Sequence, residues 1–316
     1  MRYAGINVKL DDKIAKTVDL LRQRSIHDYE VYGSAVDTMR AESKDCSIGS
    51  LNRSNESGIS IRILEGGAMG FSYGPEPTDE LIDSALSSAQ YQFQDENNHI
   101  PPCRQRYTDI DLFDQDVSDL QADDCISRAI VLEKTARQTD PRITQVRKAS
   151  FSRSIASTHI VNSQGIDISS TSSFVSASIM VMAKESDDTQ SGYEFDLSHR
   201  LEDIDVENVG TEAVKRATDM LFARKIETMR IPVVFDNTTT AQLLDFISDA
   251  FLGENVVKGK SYLQDKFEKA CFSNSITLSD NPLDIRCADA RPFDGEGVPS
   301  QETVLIEDGI VFAFIY

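Results

Sequence analysis

Basic residues are scarce in this chain: 32 Lys and Arg stand against 52 Asp and Glu, a net charge of -20. Such a field repels phosphate backbones and anionic lipid surfaces, which disfavours direct nucleic-acid binding and peripheral membrane attachment. Long apolar runs are also missing. The longest apolar-leaning segment, residues 174–183, is too short to span a bilayer. The N-terminal MRYAGINVKLDDKIAK lacks the apolar run and small-residue cleavage site of a secretory signal. Cys46, Cys103, Cys125, Cys271 and Cys287 form no CxxC pair, and an odd, scattered set suits a reducing compartment better than a disulfide framework. The expectation is a soluble, cytoplasmic protein.

Familiar catalytic signatures are absent too. Helical zinc sites of hydrolases pair two His about one turn apart with an adjacent Glu. His27, His99, His159 and His199 lie far apart and none precedes a Glu. Assembly of these His with Cys271 or Cys287 over long range stays open. No GxSxG, dinucleotide fingerprint or zinc ribbon occurs. The run Asp109, Asp111, Asp114 and Asp116 lacks the glycine and terminal Glu of a calcium loop, with Asp114 and Leu120 at those places, and reads as a solvated linker.

What is present is a folded chain of 316 residues, long enough for two domains. Leu10, Ile14, Val18 and Leu21 predict an opening amphipathic helix over 10–24. Strands are expected at 28–34 and 37–51, a turn at 52–57, and a hairpin over 58–74 reversing at Gly66-Gly67. Helices follow from Pro77-Thr78 to about Phe93 and over 118–139. Strands at 143–162 and 166–183 turn at Ser163-Gln164-Gly165, a further strand runs over 192–197, and a helix covers 206–224. This is an α+β pattern with antiparallel hairpins. A boundary near Met229 separates an N-terminal domain, 1–228, from a β-rich one, 229–316. The second opens with a short buried strand, 233–235, and a helix capped by Thr238-Thr239-Thr240. Leu243, Phe246, Ile247, Ala250 and Phe251 share one face of that helix, and Gly253 ends it.

The stretch 253–299 holds the candidate chemistry. Gly259-Lys260-Ser261 approaches a phosphate loop, but it has one residue too many between its glycines and follows a helix where a strand is needed. A loop with Ser261 as a cap is the plainer reading. Cys271 reads as a packed thiol. In FDGEG, Asp294 and Glu296 could serve as acid and base, or their carboxylates could accept backbone N–H bonds in a turn; the turn is preferred.

Six segments in order, GISIRILEGGAMGFSYG, VNSQGIDIS, RIPVVFDNTTTAQLL, KGKSYLQDKF, SITLSDNP and FDGEGVPSQETVLIEDG, resemble the TldD/PmbA family of peptidases (family U62, first named as modulators of DNA gyrase), most closely its PmbA (TldE) branch. The resemblance covers nearly the whole chain. It implies an N-terminal α+β domain, a C-terminal β-rich domain, and TldD-type subunits that carry zinc on HExxxH and pair with PmbA-type subunits lacking it. Counted back from Ser261, the HExxxH positions fall approximately on Leu244, Asp245 and Asp249. The resemblance thus implies a subunit without its own zinc, a TldD-like zinc peptidase as heterodimer partner, and extended peptides as substrates. Lys260, Ser261, Asp294 and Glu296 are the candidate substrate-binding or chamber-lining residues. A self-contained metallopeptidase and a gyrase-modulator-like regulator are the rival readings. Members of the family continue beyond the FDGEG segment, so the resemblance implies either a truncated chain or a last part of the barrel supplied otherwise. The chain's final VFAFIY is an expected strand end, a liability for aggregation and an opportunity for pairing; a homo-oligomer is a separate open expectation.

Overall fold

The computed structural model describes residues 4–95, 98–103 and 106–315, with side chains from Lys9 onward. The architecture is α+β. Contacts divide the chain into two units. One runs to Ala223 and includes Ile285–Pro299; the other comprises Arg224–Asp284 and the residues from Ser300. The sequence reading keeps 229–316 together, whereas here Ile285–Pro299 belongs to the first unit.

The first unit opens with α1 (Ala4–Gln23), β1 (Tyr29–Lys44), β2 (Ser47–Glu65), β3 (Ala68–Gly74) and α2 (Asp79–Gln90). It continues with α3 (Gln115–Asp119), α4 (Ala122–Thr139), β4 (Ile143–Asn162), β5 (Asp167–Glu185), β6 (Asp188–Ser198) and α5 (Val206–Asp219). Its six strands form one antiparallel sheet in the order β3-β2-β1-β4-β5-β6. Each half is a three-strand meander between helices, and the halves join where β1 pairs with β4.

This internal repeat has a trace in the sequence. Gly70-Phe71-Ser72-Tyr73 on β3 answers Gly192-Tyr193-Glu194-Phe195 on β6. A Cβ on Gly70 would lie 2.0 Å from Ala85 O and 3.0 Å from Ala89 Cβ; on Gly192 it would lie 2.0 Å from Ala213 O and 3.0 Å from Ala217 Cβ. Both outer strands therefore meet the backbone of their covering helix at a glycine.

Alternate residues of β1 face the helices, as period-2 geometry requires. They feed two cores. One gathers Leu10, Ile14, Val31, Ile61 and Ile82; the other gathers Leu132, Phe151, Val175, Ile179 and Val214. Asp37, on the same face between Ala35 and Met39, carries an ion pair with Arg153 at 2.6 Å, both side chains nearly sealed from water.

Several sequence expectations are corrected. β1 is one continuous strand, and 52–57 is not a turn but the middle of β2. Residues there are exposed on both sides, so no apolar alternation marks the strand. The reversal falls instead at Asp45-Cys46, both with positive φ (52° and 55°). Buried Glu133 on α4 pins it, accepting from Ser43 Oγ at 2.6 Å, Cys46 N at 3.1 Å and Arg137 Nε at 2.8 Å. Burial alone would raise this carboxyl's pKa; the donors outweigh it and hold it below the usual range. The helix expected over 118–139 is split at Leu120, and Asp124 accepts the Gln121 N–H at the start of α4. Thr78 caps α2, which ends before Tyr91, and α5 ends at Asp219.

The second unit holds α6 (Asn237–Ser248), a 3-10 turn (Asp249–Phe251), α7 (Gly253–Val257) and a small sheet of β7 (Leu278–Asp280), β8 (Thr303–Glu307) and β9 (Ile310–Val311). Residues 233–235 form no strand, and Val234 is 96% exposed. Asp236, not the threonines, caps α6, accepting Thr239 N at 2.7 Å. Leu243 and Phe246 are exposed; Ala250 and Phe251, beyond the helix end, enter the core with Leu263, Leu305 and Ile306. Gly253 opens α7, because extended Leu252 has already broken the path. Cys271 is exposed, not packed. Of the expected VFAFIY strand, β9 holds only Val311, and residue 316 lies outside the described residues. Among the described residues no helix is long and apolar enough to cross a membrane.

Gly70→Ala and Gly192→Ala are expected to cost about 1–3 kcal/mol each, as overpacking against helix backbone does. Gly295→Ala, where an added Cβ meets nothing within 4 Å, should stay within about 0.5 kcal/mol. Urea unfolding of the three variants checks the contrast.

Candidate functional site

The site is built around the FDGEG turn, which sits in the first unit. Asp294 makes the turn: its Oδ1 accepts the N–H groups of Glu296 and Val298, both at 2.9 Å, and its own N–H donates to Val298 O. Gly297 takes φ 76°, a left-handed conformation that glycine adopts without strain. A Cβ there would come within 2.9 Å of Ile166. Phe293 anchors the turn, buried with Ile160 and Ile166 and edge-on to Tyr107 at 6.2 Å. Tyr107 Oη donates to Gly297 O at 2.8 Å, and burial pushes its hydroxyl pKa up. Upstream, His199 lies under Phe174 with Nδ1 2.8 Å from Ser173 O and Nε2 3.2 Å from Cys287 O.

Glu296 reaches the sheet. Arg62 on β2 donates to Glu296 Oε1 at 2.5 Å and to Glu30 Oε2 on β1 at 2.9 Å. Glu30 is buried, and burial raises its carboxyl pKa by more than Arg62 lowers it, with Glu296 and Asp294 adding to the rise. The Arg62 guanidinium is buried as well, which opposes its charge, but Glu296 and Glu30 hold its pKa above the ordinary value. Asp294 is thus engaged by backbone donors and Glu296 by an arginine, so the pair is not poised for acid/base work.

Beside the turn, the sheet face away from the helices is lined with small hydroxyls paired across strands: Thr38 with Ser154 at 2.8 Å, Ser152 with Ser176 at 2.8 Å, Ser150 with Ser178 at 2.9 Å. Aromatic pairs edge it, Phe71 with Tyr73 on β3 and Tyr193 with Phe195 on β6. One groove of 530 Å³ runs past Tyr107, Asp109, Asp111, Ser170 and Phe293; another of 560 Å³ past Tyr32, Ser34, Val36, Gly58 and Tyr73.

The other candidates belong to the second unit. Ser261 is buried, its Oγ donating to Ala250 O at 2.6 Å and accepting Leu263 N at 3.0 Å, so its hydroxyl is committed to the loop. Lys260 is exposed. Leu244 and Asp245 lie on α6 and Asp249 in the following 3-10 turn, all exposed. Leucine offers no donor, and among the described residues no three His, Cys, Asp or Glu side chains gather to hold a metal. These residues do not fit a zinc ion. Sequence reasoning missed Arg62, Glu30 and Tyr107; His199, which it weighed with Cys287 as a long-range ligand pair, meets the Cys287 backbone carbonyl instead. For Arg62 a signal existed: in GISIRIL it occupies the face opposite the buried isoleucines.

Because Glu30's pKa is higher folded than unfolded, its contribution to stability is complete below the unfolded carboxyl value and is lost as pH rises to the folded one. Glu30→Gln is expected to abolish that loss. Measured as pH climbs through and above the ordinary carboxylate range, the parent's unfolding midpoint should fall relative to the variant's, the other carboxylates being common to both.

Comparison with known proteins agrees with this architecture. Family profiles described as PmbA/TldA metallopeptidase domain 1, central domain and C-terminal domain match residues 29–89, 115–221 and 228–316. Metalloprotease PmbA of Escherichia coli O157:H7 is 27% identical over 257 residues, 78% of this chain and 55% of that protein. A metalloprotease PmbA homolog of Haemophilus influenzae is 26% identical over 243 residues, 74% of this chain and 52% of that protein. The chain spans about half the length of these curated relatives. The fold is shared with a candidate DNA gyrase modulator from Thermotoga maritima (TM-score 0.87, 19% identity, 96% of this chain and 70% of that one). It is shared also with TldE from Thermococcus kodakarensis (TM-score 0.80, 20% identity, 95% and 69%).

Proposed function

The chain belongs to the PmbA/TldD metallopeptidase family, and we propose that it acts there as a PmbA/TldE-like subunit, pairing with a TldD-like zinc peptidase to build a chamber for cleaving unfolded peptides. The observation that carries this is the set of residues on α6 and at the start of the 3-10 turn after it. Where the family resemblance puts the HExxxH of the zinc-bearing subunit, this chain has Leu244, Asp245 and Asp249. In this reading zinc belongs to the partner, while Lys260 and the Asp294–Glu296 turn line or shape the peptide path without catalysis. Extended peptide is held by strand addition, which draws affinity from backbone hydrogen bonds and makes little demand on sequence. Five free thiols suit a cytoplasmic setting.

Hydrolysis of an unfolded peptide should appear when the chain is mixed with a TldD-like subunit, exceed that of the partner alone, and vanish with chelator. The chain by itself should be inactive. Chelator-sensitive hydrolysis by the lone chain would instead establish the self-contained metallopeptidase.

A further inference from the structure

The sheet of the first unit has one long bare edge. β2 pairs with β1 along its length, but β3 covers it only from Ile59 to Glu65. Among the described residues no strand pairs with the other side of β2 from Ser47 to Gly58. The backbone orientation there follows from one bond: Leu64 N donates to Asp28 O, on the β1 side. Alternation then turns the N–H and C=O groups of Leu51, Arg53, Asn55 and Ser57 outward. The usual protections of an edge are sparse: the stretch has no proline, its only charged side chains are Arg53 and Glu56, and the only register shift lies at its far end, opposite Glu42 and Ser43.

The repeat shows what such an edge receives. Counting back equally from Ile63 and Val181, the partners of Gly70 and Gly192, makes Asn55 and Ser173 equivalent. At Ser173 the chain covers its own edge: Ser173 N donates to Leu112 O at 2.9 Å, and Asp114 N to Ser173 Oγ at 2.8 Å. Among the described residues no backbone bond of this kind reaches β2 from Leu51 to Ser57, where the hydrogen bond from outside the sheet is Lys13 Nζ donating to Ser57 Oγ at 3.1 Å. Where its bare edge begins lies the 560 Å³ groove. Gly58 stands opposite Ser34 with no side chain, and a Cβ there would come within 3.2 Å of Gly74 O, so the glycine keeps the groove beside Tyr32, Val36 and Tyr73 from narrowing further.

We propose that the β2 edge from Leu51 to Ser57 is a binding site for an extended peptide, which adds as a strand and lays an apolar or aromatic side chain across Gly58 into the groove. The occupant is neutral or basic, since Glu56 lines the groove and the chain carries a charge of -20. This rests on the reading that the chain handles extended peptides, but assigns them a place outside α6 and the FDGEG turn.

The probe is a fluorescent peptide of alternating valine and threonine with lysine at each end, added to the chain alone, without metal or partner. Bound peptide should slow amide exchange at Leu51, Arg53, Asn55 and Ser57 and leave Asn52, Ser54 and Glu56, already facing β1, unchanged. N-methylation of one alternate set of peptide nitrogens should weaken binding at least roughly tenfold, and of the other set hardly at all. Asn55→Pro removes an outward N–H without touching the β1 ladder and should weaken binding similarly while leaving thermal unfolding near the parent's. Protection confined to another strand, indifference to N-methylation, or an edge protected only by self-association on sedimentation would overturn the proposal. Partner-dependent hydrolysis untouched by Asn55→Pro would sink this site and spare the assembly. Alternate protection without any partner-dependent hydrolysis would do the reverse.

Discussion

The pairing of β1 with β4 is the contact on which the first unit depends. It joins two similar halves, and its centre is occupied by charge: Asp37 lies directly opposite Ile155 and binds Arg153 at 2.6 Å. Removing either partner would strand a buried ion, at a cost of about 3–5 kcal/mol. The ion pair also separates the two apolar cores, so the helices of each half pack over their own meander. Gly70 and Gly192, at equivalent places on β3 and β6, then set how closely those helices approach.

Function follows from what this arrangement leaves open. The helices cover one sheet face; the other is lined with hydroxyls, flanked by aromatics, and closed at one end by Phe293 and the turn behind it. Arg62 ties that turn to the sheet through two carboxylates. The acidic residues that look catalytic in the sequence are engaged by backbone donors and by Arg62, and among the described residues the edge of β2 before Ile59 pairs with no strand. A subunit that shapes and holds peptide while its partner cleaves it is consistent with both.

Much of this was legible in the sequence where burial is one-sided. Ile59, Ile61 and Ile63 alternate because one face is core, and Gly66-Gly67 marks its turn. The outer half of β2 gave no such signal, since both its faces meet water, and Asp45-Cys46 lacks the glycine or asparagine that usually marks a two-residue reversal. On α6 an apolar face was legible, but Leu243 and Phe246 remain exposed, because amphipathicity says that a face is to be covered and not by what. The segment Ile285–Pro299 joins the first unit through Phe293, a long-range contact invisible to local pattern. At the site, the turn role of Asp294 was readable from FDGEG, whereas Glu30 and Arg62 emerge only when strand register brings them together.

The central claim is that this chain supplies a wall of the peptidase and not its metal. Zinc content by mass spectrometry, on the purified chain and on its complex with a TldD-like subunit, tests it most directly. The account predicts zinc in the complex in proportion to the partner and none retained by the chain alone after dialysis. Stoichiometric zinc held by the lone chain would contradict it.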